Sequence, residues 1–124
     1  MNSDGSVVLN TALMDIGQGC NTALAQIAAE RLGFPLSKVK VSIERDTDKD
    51  PYDWQTVASK GLILSGNATI LACDDLLRQA YDLASMVLRA NPMDMDHHSA
   101  KVFVKHRPEE CVPYAAMAIA VVLF

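Results

Sequence analysis

Long apolar runs and an excess of basic residues are both missing from this sequence. No apolar stretch reaches the ~20 residues of a membrane-spanning helix, and the formal net charge at pH 7 is −4. A nucleic-acid backbone or an anionic membrane surface is therefore disfavoured as the main partner, because each favours a basic protein surface. The first twenty residues also lack the basic and apolar regions of a secretory signal, so we expect a cytoplasmic protein.

Paired cysteines are missing too. Cys20, Cys73 and Cys111 lie far apart without a Cys-x-x-Cys spacing, which argues against a disulfide framework or a zinc knuckle. We interpret Cys73 as a helix-face residue and Cys111 as a strand-edge residue. Cys20 lies at a predicted helix start, where the pKa of a thiol can be lowered. Because no base is identified beside it, a nucleophilic role is disfavoured.

Clustered metal ligands are also missing. His97 and His98 are adjacent and therefore point in different directions, and the third histidine is remote, so no metal site is predicted. The loop of residues 46–55 is acidic, but it lacks the glycine and the distal glutamate of a calcium-binding loop. We interpret it as a solvated loop, in which the roles of Tyr52 and Trp54 stay open.

The residues that are present form alternating strand and helix patterns. With 124 residues, half of them apolar, the chain is predicted to form a single domain over residues 1–124. The order β-α-β-α-β-α predicts an α+β fold, a two-layer sandwich in which helices cover one face of a small sheet. The predicted elements are strands at 6–14, 38–44 and 101–105, and helices at 21–32, about 57–90 and from 113 onward.

The last third of the chain contains weaker patterns. Residues 93–100 are predicted to be a polar linker, and residues 107–110 a turn that leads to a short return strand at Cys111 and Val112. The sequence ends on the apolar residues 121–124 without a helix cap. This ending indicates a domain cut from a longer chain.

Glycines mark both main helices. Gly33, with Pro35 just beyond it, is expected to end the first helix. Gly61 and Gly66 lie early in the long helix, where helix propensity favours alanine, so we expect something to lie close to that backbone. Close helix packing and a neighbouring ligand would each explain them.

The junction between the first strand and the first helix is the strongest candidate site. Gly17 and Gly19 permit positive φ and close backbone approach, and Asn21 or Thr22 is expected to cap the helix. The N–H groups of its first turn would then point outward and attract an anion. The start of the long helix, at residues 56–60, is expected to open toward the same edge. Together the two helix starts indicate a phosphate-bearing cofactor.

These segments resemble, in their order, the molybdopterin-binding domain of the xanthine dehydrogenase and aldehyde oxidase family of molybdenum hydroxylases. The resemblance spans about Asp4 to Leu88, and the ordered combination is more specific than any single piece. The matching residues are Asp15-Ile16-Gly17-Gln18-Gly19, Thr22, Gln26-Ile27-Ala28-Ala29-Glu30, Leu32-Gly33, Asp46-Thr47-Asp48, Pro51, Thr56, Ala58-Ser59-Lys60 and Gly66-Asn67-Ala68.

The resemblance implies a cofactor-binding role at both helix starts. At the start of the first helix, backbone amides and the Gln18 side chain would contact the cofactor. At the start of the long helix, the matching residues would bind its pterin or phosphates. Lys60 stands where arginine is more usual and lacks the planar fork that allows bidentate contact, and Asp15 is shorter than the glutamate often found there. The implied set is Gly17, Gln18, Gly19, Thr22, Thr56, Ala58, Ser59 and Lys60.

The resemblance also implies an activity for a larger protein. In this family the large subunit binds molybdopterin, often as a cytosine dinucleotide in bacteria, and hydroxylates a heterocycle or an aldehyde using water. Electrons leave through iron-sulfur clusters and usually FAD, carried on other domains or subunits. The family's catalytic glutamate lies in a glycine-rich motif downstream of this region. We therefore expect this chain to be a large-subunit fragment with no catalytic residue, and to be inactive and without cofactor when isolated.

Two alternatives stay open from the residues alone. A stand-alone interaction module could use the long helix and the apolar C-terminus to oligomerise without catalysis. A nucleotide-binding protein could use the single Gly-x-Gly turn, although no P-loop lysine or longer glycine fingerprint follows the strand. The substrate cannot be read from these residues.

Overall fold

The structure is a computed structural model that describes residues 1–44, 46–53 and 55–123. Trp54, whose role stays open, and Phe124, the last apolar residue, lie outside the described residues. The described elements, in chain order, are β1 (Val7–Leu9), α1 (Cys20–Leu32), β2 (Val39–Val41), α2 (Lys60–Leu88), β3 (Met95–His98), β4 (Lys101–Val104), β5 (Arg107–Pro113) and α3 (Tyr114–Leu123).

The described strands form two small sheets. Strands β1 and β2 pair in parallel, with Val7 opposite Val39. Strands β3, β4 and β5 form an antiparallel sheet in that order. The predicted α+β class is confirmed, because helices and strands mix and the long helix packs against the sheets. The predicted strands at 6–14 and 38–44 are longer than the observed β1 and β2.

The C-terminal hairpin was missed at two places. The predicted polar linker contains β3, in which Met95 is buried, and the predicted turn at 107–110 is the first half of β5. Ser99 and Ala100 connect β3 to β4 with φ values of 50° and 59°, which is the signature of a type I′ hairpin turn. Strand β5 lies at the edge of its sheet, where prolines are tolerated.

The two long helices form the centre of the core. Helix α1 ends at Gly33 as predicted, in a left-handed conformation with φ 63°. Leu24 and Leu32 of α1 and Ala84 of α2 have no exposed surface. At the far end, the ring of the fully buried Tyr114 meets Phe34 edge-on, with a centroid distance of 4.8 Å. This packing fixes where the N-terminal ends of α1 and α2 lie.

Helix α2 starts later than predicted and runs for 29 residues, about 43 Å at 1.5 Å per residue. Its two early glycines lie against other parts of the chain. A Cβ atom built on Gly61 would be 2.9 Å from Cδ1 of Leu13, and one on Gly66 would be 3.3 Å from Cδ1 of Ile27. Close packing therefore explains both glycines. Among the described residues, no helix combines the length and apolar character that a membrane span requires.

Candidate functional site

The start of α1 is organised by the carboxylate of Asp15. Its Oδ1 atom accepts hydrogen bonds from the backbone N–H groups of Gly17, at 3.0 Å, and Gly19, at 3.2 Å. Its Oδ2 atom accepts the N–H of Asn21 at 3.2 Å. Gly19 is the N-cap residue and has no side chain to cap the helix. The prediction that Asn21 or Thr22 caps α1 with outward-pointing amides is therefore wrong, because Asp15 takes these donors.

This arrangement fixes the charge at the helix start. The backbone N–H of Asn21, and then that of Gly17, lowers the pKa of Asp15 below its ordinary value. The carboxylate is therefore ionised at neutral pH, and it balances the positive end of the α1 dipole. The sequence carries a signal for this contact, since an Asp two residues before a turn glycine commonly forms an Asx turn.

Gln18 spans the same turn with its side-chain amide. Its Oε1 atom accepts the N–H of Ile16 at 2.7 Å, and its Nε2 atom donates to the carbonyl of Met14 at 3.0 Å. Gly17 and Gly19 on either side have φ values of 104° and 77°, which L side chains rarely adopt. A Cβ atom at either glycine would meet nothing within 4 Å. The backbone there is therefore open to close approach by another molecule.

The start of α2 is strained. Ala58 and Ser59 are consecutive left-handed residues, with φ values of 53° and 56°. Each such residue costs roughly 1–2 kcal/mol relative to a right-handed conformation. Ser59 is the N-cap residue, but its side chain makes no capping hydrogen bond. Backbone strain of this kind is concentrated at functional sites, and here it explains why α2 begins at Lys60 rather than at the predicted position near 57.

The two helix starts line one cleft. The hydroxyl of Thr56 donates a hydrogen bond to the carbonyl of Met14 at 3.2 Å, the same carbonyl that accepts from Gln18. The cleft has a volume of about 410 Å³, which lies within the usual range for small-molecule sites. Its described lining residues carry no charged side chain. They are Ile16, Gln18, Cys20, Ala23, Thr56, Val57, Ala58, Ser59, Gly61 and Leu62.

The residues predicted from the sequence to bind the cofactor differ in where they lie relative to this cleft. Gln18, Thr56, Ala58 and Ser59 line it, and the two glycines of the turn lie beside Gln18. Thr22 is exposed on the first turn of α1. The side chain of Lys60 lies in a neighbouring cleft of about 460 Å³, where its Nζ atom is 3.0 Å from Oδ1 of Asp53.

Cys20 is buried in the wall of the shared cleft. Burial, followed by the nearby Asp15 carboxylate, raises the pKa of its thiol. A helix start can lower the pKa of a thiol, but here burial and the Asp15 carboxylate act in the opposite direction, in keeping with the disfavoured nucleophilic role. Cys73 on α2 is buried, as its interpretation as a helix-face residue requires, and Cys111 lies on the edge strand β5. Over residues 1–44, 46–53 and 55–123, no group of three or more His, Cys, Asp or Glu side chains is placed to hold a metal ion.

Residues 1–123 match the model of a protein family described as the molybdopterin cofactor-binding domain. The chain belongs to this family. The resemblance found in the two helix-start motifs is therefore confirmed, and the shared cleft lies in a molybdopterin-binding domain.

Relatives contain this molybdopterin-binding domain within much longer chains. The domain is 31% identical over 110 residues to the putative xanthine dehydrogenase molybdenum-binding subunit of Escherichia coli (strain K12), covering 89% of this chain and 15% of that protein. It is 30% identical over 121 residues to the nicotine 6-hydroxylase large subunit of Paenarthrobacter nicotinovorans, covering 98% and 15%. The chain therefore spans about 15% of the length of these relatives.

Solved structures show the same fold. The domain superimposes on part of quinoline 2-oxidoreductase from Pseudomonas putida 86 with a TM-score of 0.83 and 30% identity, covering 94% of this chain and 15% of that one. It superimposes on part of CO dehydrogenase from Oligotropha carboxidovorans with a TM-score of 0.85 and 29% identity, covering 97% and 15%.

The residues of the cleft fit the chemistry of a molybdopterin. A pterin ring presents a donor and acceptor edge, which suits an amide such as that of Gln18. Phosphate oxygens accept hydrogen bonds from hydroxyl groups such as that of Ser59. The open face of Gly17 and Gly19 gives room for close contact with the backbone. The described residues that line the cleft therefore offer neutral polar groups, because Asp15 balances the dipole of α1 and Lys60 is paired with Asp53 in the neighbouring cleft.

Proposed function

We propose that this molybdopterin-binding domain is part of the large subunit of a molybdenum hydroxylase of the xanthine dehydrogenase and aldehyde oxidase type. The parent enzyme would hydroxylate a heterocycle or an aldehyde using water. The observation that carries the proposal is the cleft shared by the starts of α1 and α2, in a chain whose family is named for the cofactor. Relatives named for nicotine and quinoline support a nitrogen heterocycle as the substrate class.

In this proposal the α1 side of the cleft holds the pterin end of the cofactor. The Gln18 amide would hydrogen-bond to it, while its bond to Met14 keeps the amide oriented. Gly17 and Gly19 would allow the cofactor to approach the backbone closely, since the space beside each glycine is open. Their N–H groups donate to Asp15. Thr22, exposed on the first turn of α1, would add a hydroxyl at the rim of the cleft.

The α2 side would hold the phosphates. The hydroxyl of Ser59 and the backbone at Ala58 would donate to phosphate oxygens, while the hydroxyl of Thr56, which donates to the carbonyl of Met14, would hold this side of the cleft in place. A hydrogen bond to a charged group contributes about 1.5–3 kcal/mol, so the loss of one hydroxyl would weaken binding roughly 10- to 100-fold. Lys60 belongs to the same helix start, and its ammonium group is paired with Asp53.

The cofactor, when bound, supplies the redox centre that accepts the electrons of the substrate. The residues of this chain would hold the cofactor and keep water out of its binding cleft, which has apolar walls at Ile16, Val57 and Leu62. The general base of the reaction would come from another part of the large subunit. We therefore propose that the isolated chain is catalytically silent and does not retain the cofactor.

The parent enzyme would need further components. We propose iron-sulfur clusters and FAD on other domains or subunits as the route for electrons, and a pterin that carries a cytosine dinucleotide. We keep the cytoplasm as the expected location of the parent enzyme. A stand-alone oligomerising module is not favoured, because the family match covers residues 1–123.

The test is the molybdenum content of the full-length protein measured by elemental analysis. Gln18→Ala and Ser59→Gly remove the two polar side chains, and glycine also relieves the positive φ at position 59. Gln26→Ala and Ser37→Ala are matched controls, because both residues are exposed outside the shared cleft. We expect molybdenum to be lost in the first pair and kept in the second. Full molybdenum occupancy and unchanged turnover in both cleft variants would contradict the proposed roles.

A further inference from the structure

Lys60 and Asp53 form an ion pair that ties a loop to the first residue of α2. The Nζ to Oδ1 distance is 3.0 Å, and the two side chains are only 17% and 20% exposed. Other ion pairs among the described residues are more exposed, such as Lys49 with Asp46, at 77% and 41%. Removing one partner of a largely buried pair leaves the other charge uncompensated, which is destabilising. The structure therefore depends on both members of this pair being present.

The pair lies next to the strained residues of the shared cleft. Ala58 and Ser59 directly precede Lys60 and are left-handed, although a right-handed conformation would let them extend α2 toward its N-terminus. Local contacts must therefore keep them from joining the helix. One is the backbone hydrogen bond from the N–H of Lys60 to the carbonyl of Val57, at 3.2 Å. Another is the bond from Nζ of Lys60 to Oδ1 of Asp53, which ties the first residue of α2 to the loop.

The ammonium group of Lys60 points away from the proposed phosphate contacts. It lies in the neighbouring cleft together with residues of the loop and of the segment after β1, including Asp53, Tyr52 and Thr11. Its charge is balanced there by a carboxylate. The side chain of Lys60 therefore does not lie in the shared cleft, which Ser59 lines, as a phosphate ligand would.

We propose that Asp53, acting through Lys60, is a positioning residue that holds Ala58 and Ser59 in the conformation that binds the cofactor. Lys60 then acts as the link between the loop and the cleft rather than as a phosphate ligand. This inference rests on the proposed function, because it concerns the same cleft. It replaces the role that the family resemblance implied for Lys60.

The test compares cofactor content in variants of the full-length protein. Asp53→Asn and Lys60→Met each break the pair without touching the shared cleft. We expect each to lower both molybdenum content and the fluorescence of the oxidised pterin roughly tenfold, the size of effect seen when outer-shell partners of a site are removed. The double variant should lose no more than Lys60→Met alone, since Asp53 acts through Lys60. Lys60→Arg keeps the charge and should retain the cofactor.

A matched control and a structural readout separate positioning from general damage. Lys49→Met breaks an exposed lysine–aspartate pair of the same loop and should leave the cofactor content unchanged. Hydrogen exchange should become faster at residues 56–60 in Asp53→Asn, and stay unchanged in the core of α1. A charge swap that combines Asp53→Lys with Lys60→Asp restores the pair and should recover most of the cofactor.

Three results would overturn the inference. Full cofactor content in Asp53→Asn would remove the positioning role. A loss confined to Lys60→Met, or a charge swap with no cofactor, would show that Lys60 does not act together with Asp53. The failure of the proposed function itself would look different, because Gln18→Ala and Ser59→Gly would then also keep their molybdenum.

Discussion

The hydroxyl of Thr56 donates a hydrogen bond to the carbonyl of Met14, two residues that lie 42 positions apart in the sequence. The same carbonyl accepts the amide of Gln18. One backbone oxygen thus joins the turn before α1 to the strained start of α2. The shared cleft exists because of this junction, and its polar groups keep a fixed separation as long as the junction holds.

Replacing Thr56 by valine should weaken the junction. Valine keeps the shape of threonine but removes the donor, so the free energy of unfolding should fall by about 0.5–1.5 kcal/mol. Urea denaturation of the chain measures this change. Thr56→Ser keeps the hydroxyl and is the control. A valine variant as stable as the original protein would show that the hydrogen bond does not stabilise the junction.

The ionised carboxylate of Asp15 should make stability depend on acidity. Its pKa in the folded chain lies below the ordinary value of 3.8, because the N–H groups of Asn21 and Gly17 stabilise the charged form. The stabilisation is therefore present above about pH 4 and is lost as the pH falls through the folded pKa. Asp15→Asn should reduce the fall in urea midpoint between pH 5 and pH 2. An identical fall in the urea midpoint of the unchanged chain and of Asp15→Asn would contradict the proposed role of the Asp15 carboxylate at the start of α1.

Cys20 should react slowly with iodoacetamide. Its thiol is buried and its pKa is raised by burial and by Asp15, so little reactive thiolate forms at neutral pH. Cys111 on the edge strand is more exposed and should be labelled first. Mass spectrometry of peptides after a time course distinguishes the two sites. Labelling of Cys20 as fast as that of Cys111 in the native chain would show that the helix start activates this thiol.

The two early glycines of α2 should respond differently to alanine. A Cβ atom at Gly61 would be 2.9 Å from the buried side chain of Leu13, so Gly61→Ala should cost about 1–3 kcal/mol through overpacking. A Cβ atom at Gly66 would be 3.3 Å from the tip of Ile27, which is half-buried. There the gain in helix propensity of up to about 1 kcal/mol offsets the contact. The free energies of unfolding of both variants test this ranking.

Much of the fold follows from local patterns in the sequence. Helix α1 could be predicted because Gly33 and Pro35 give a clear stop. The long helix could be predicted from its apolar stripe, but its start could not, since Ala58 and Ser59 adopt positive φ under tertiary constraints. Strand β3 was missed because Asp96, with the two histidines after it, gives no apolar alternation.

The common location of the two helix starts could be predicted from the sequence, but the contacts of their side chains could not. Motif order placed Gln18 and Ser59 at two helix starts, and element order placed those starts at one edge. The spacing of Asp15 and Gly17 carries a signal for the Asx turn, but no spacing gives the partner of Lys60, because that contact depends on where a loop side chain lies. The pairing with Asp53 crosses a loop that has no regular pattern.

The most direct measurement is an experimental structure of the full-length protein with its cofactor bound. The account predicts that the cofactor lies between the starts of α1 and α2, with polar atoms within hydrogen-bonding distance of both Gln18 and the hydroxyl of Ser59. A cofactor that contacts neither residue, or a cleft filled by other parts of the protein while the cofactor binds elsewhere, would contradict it.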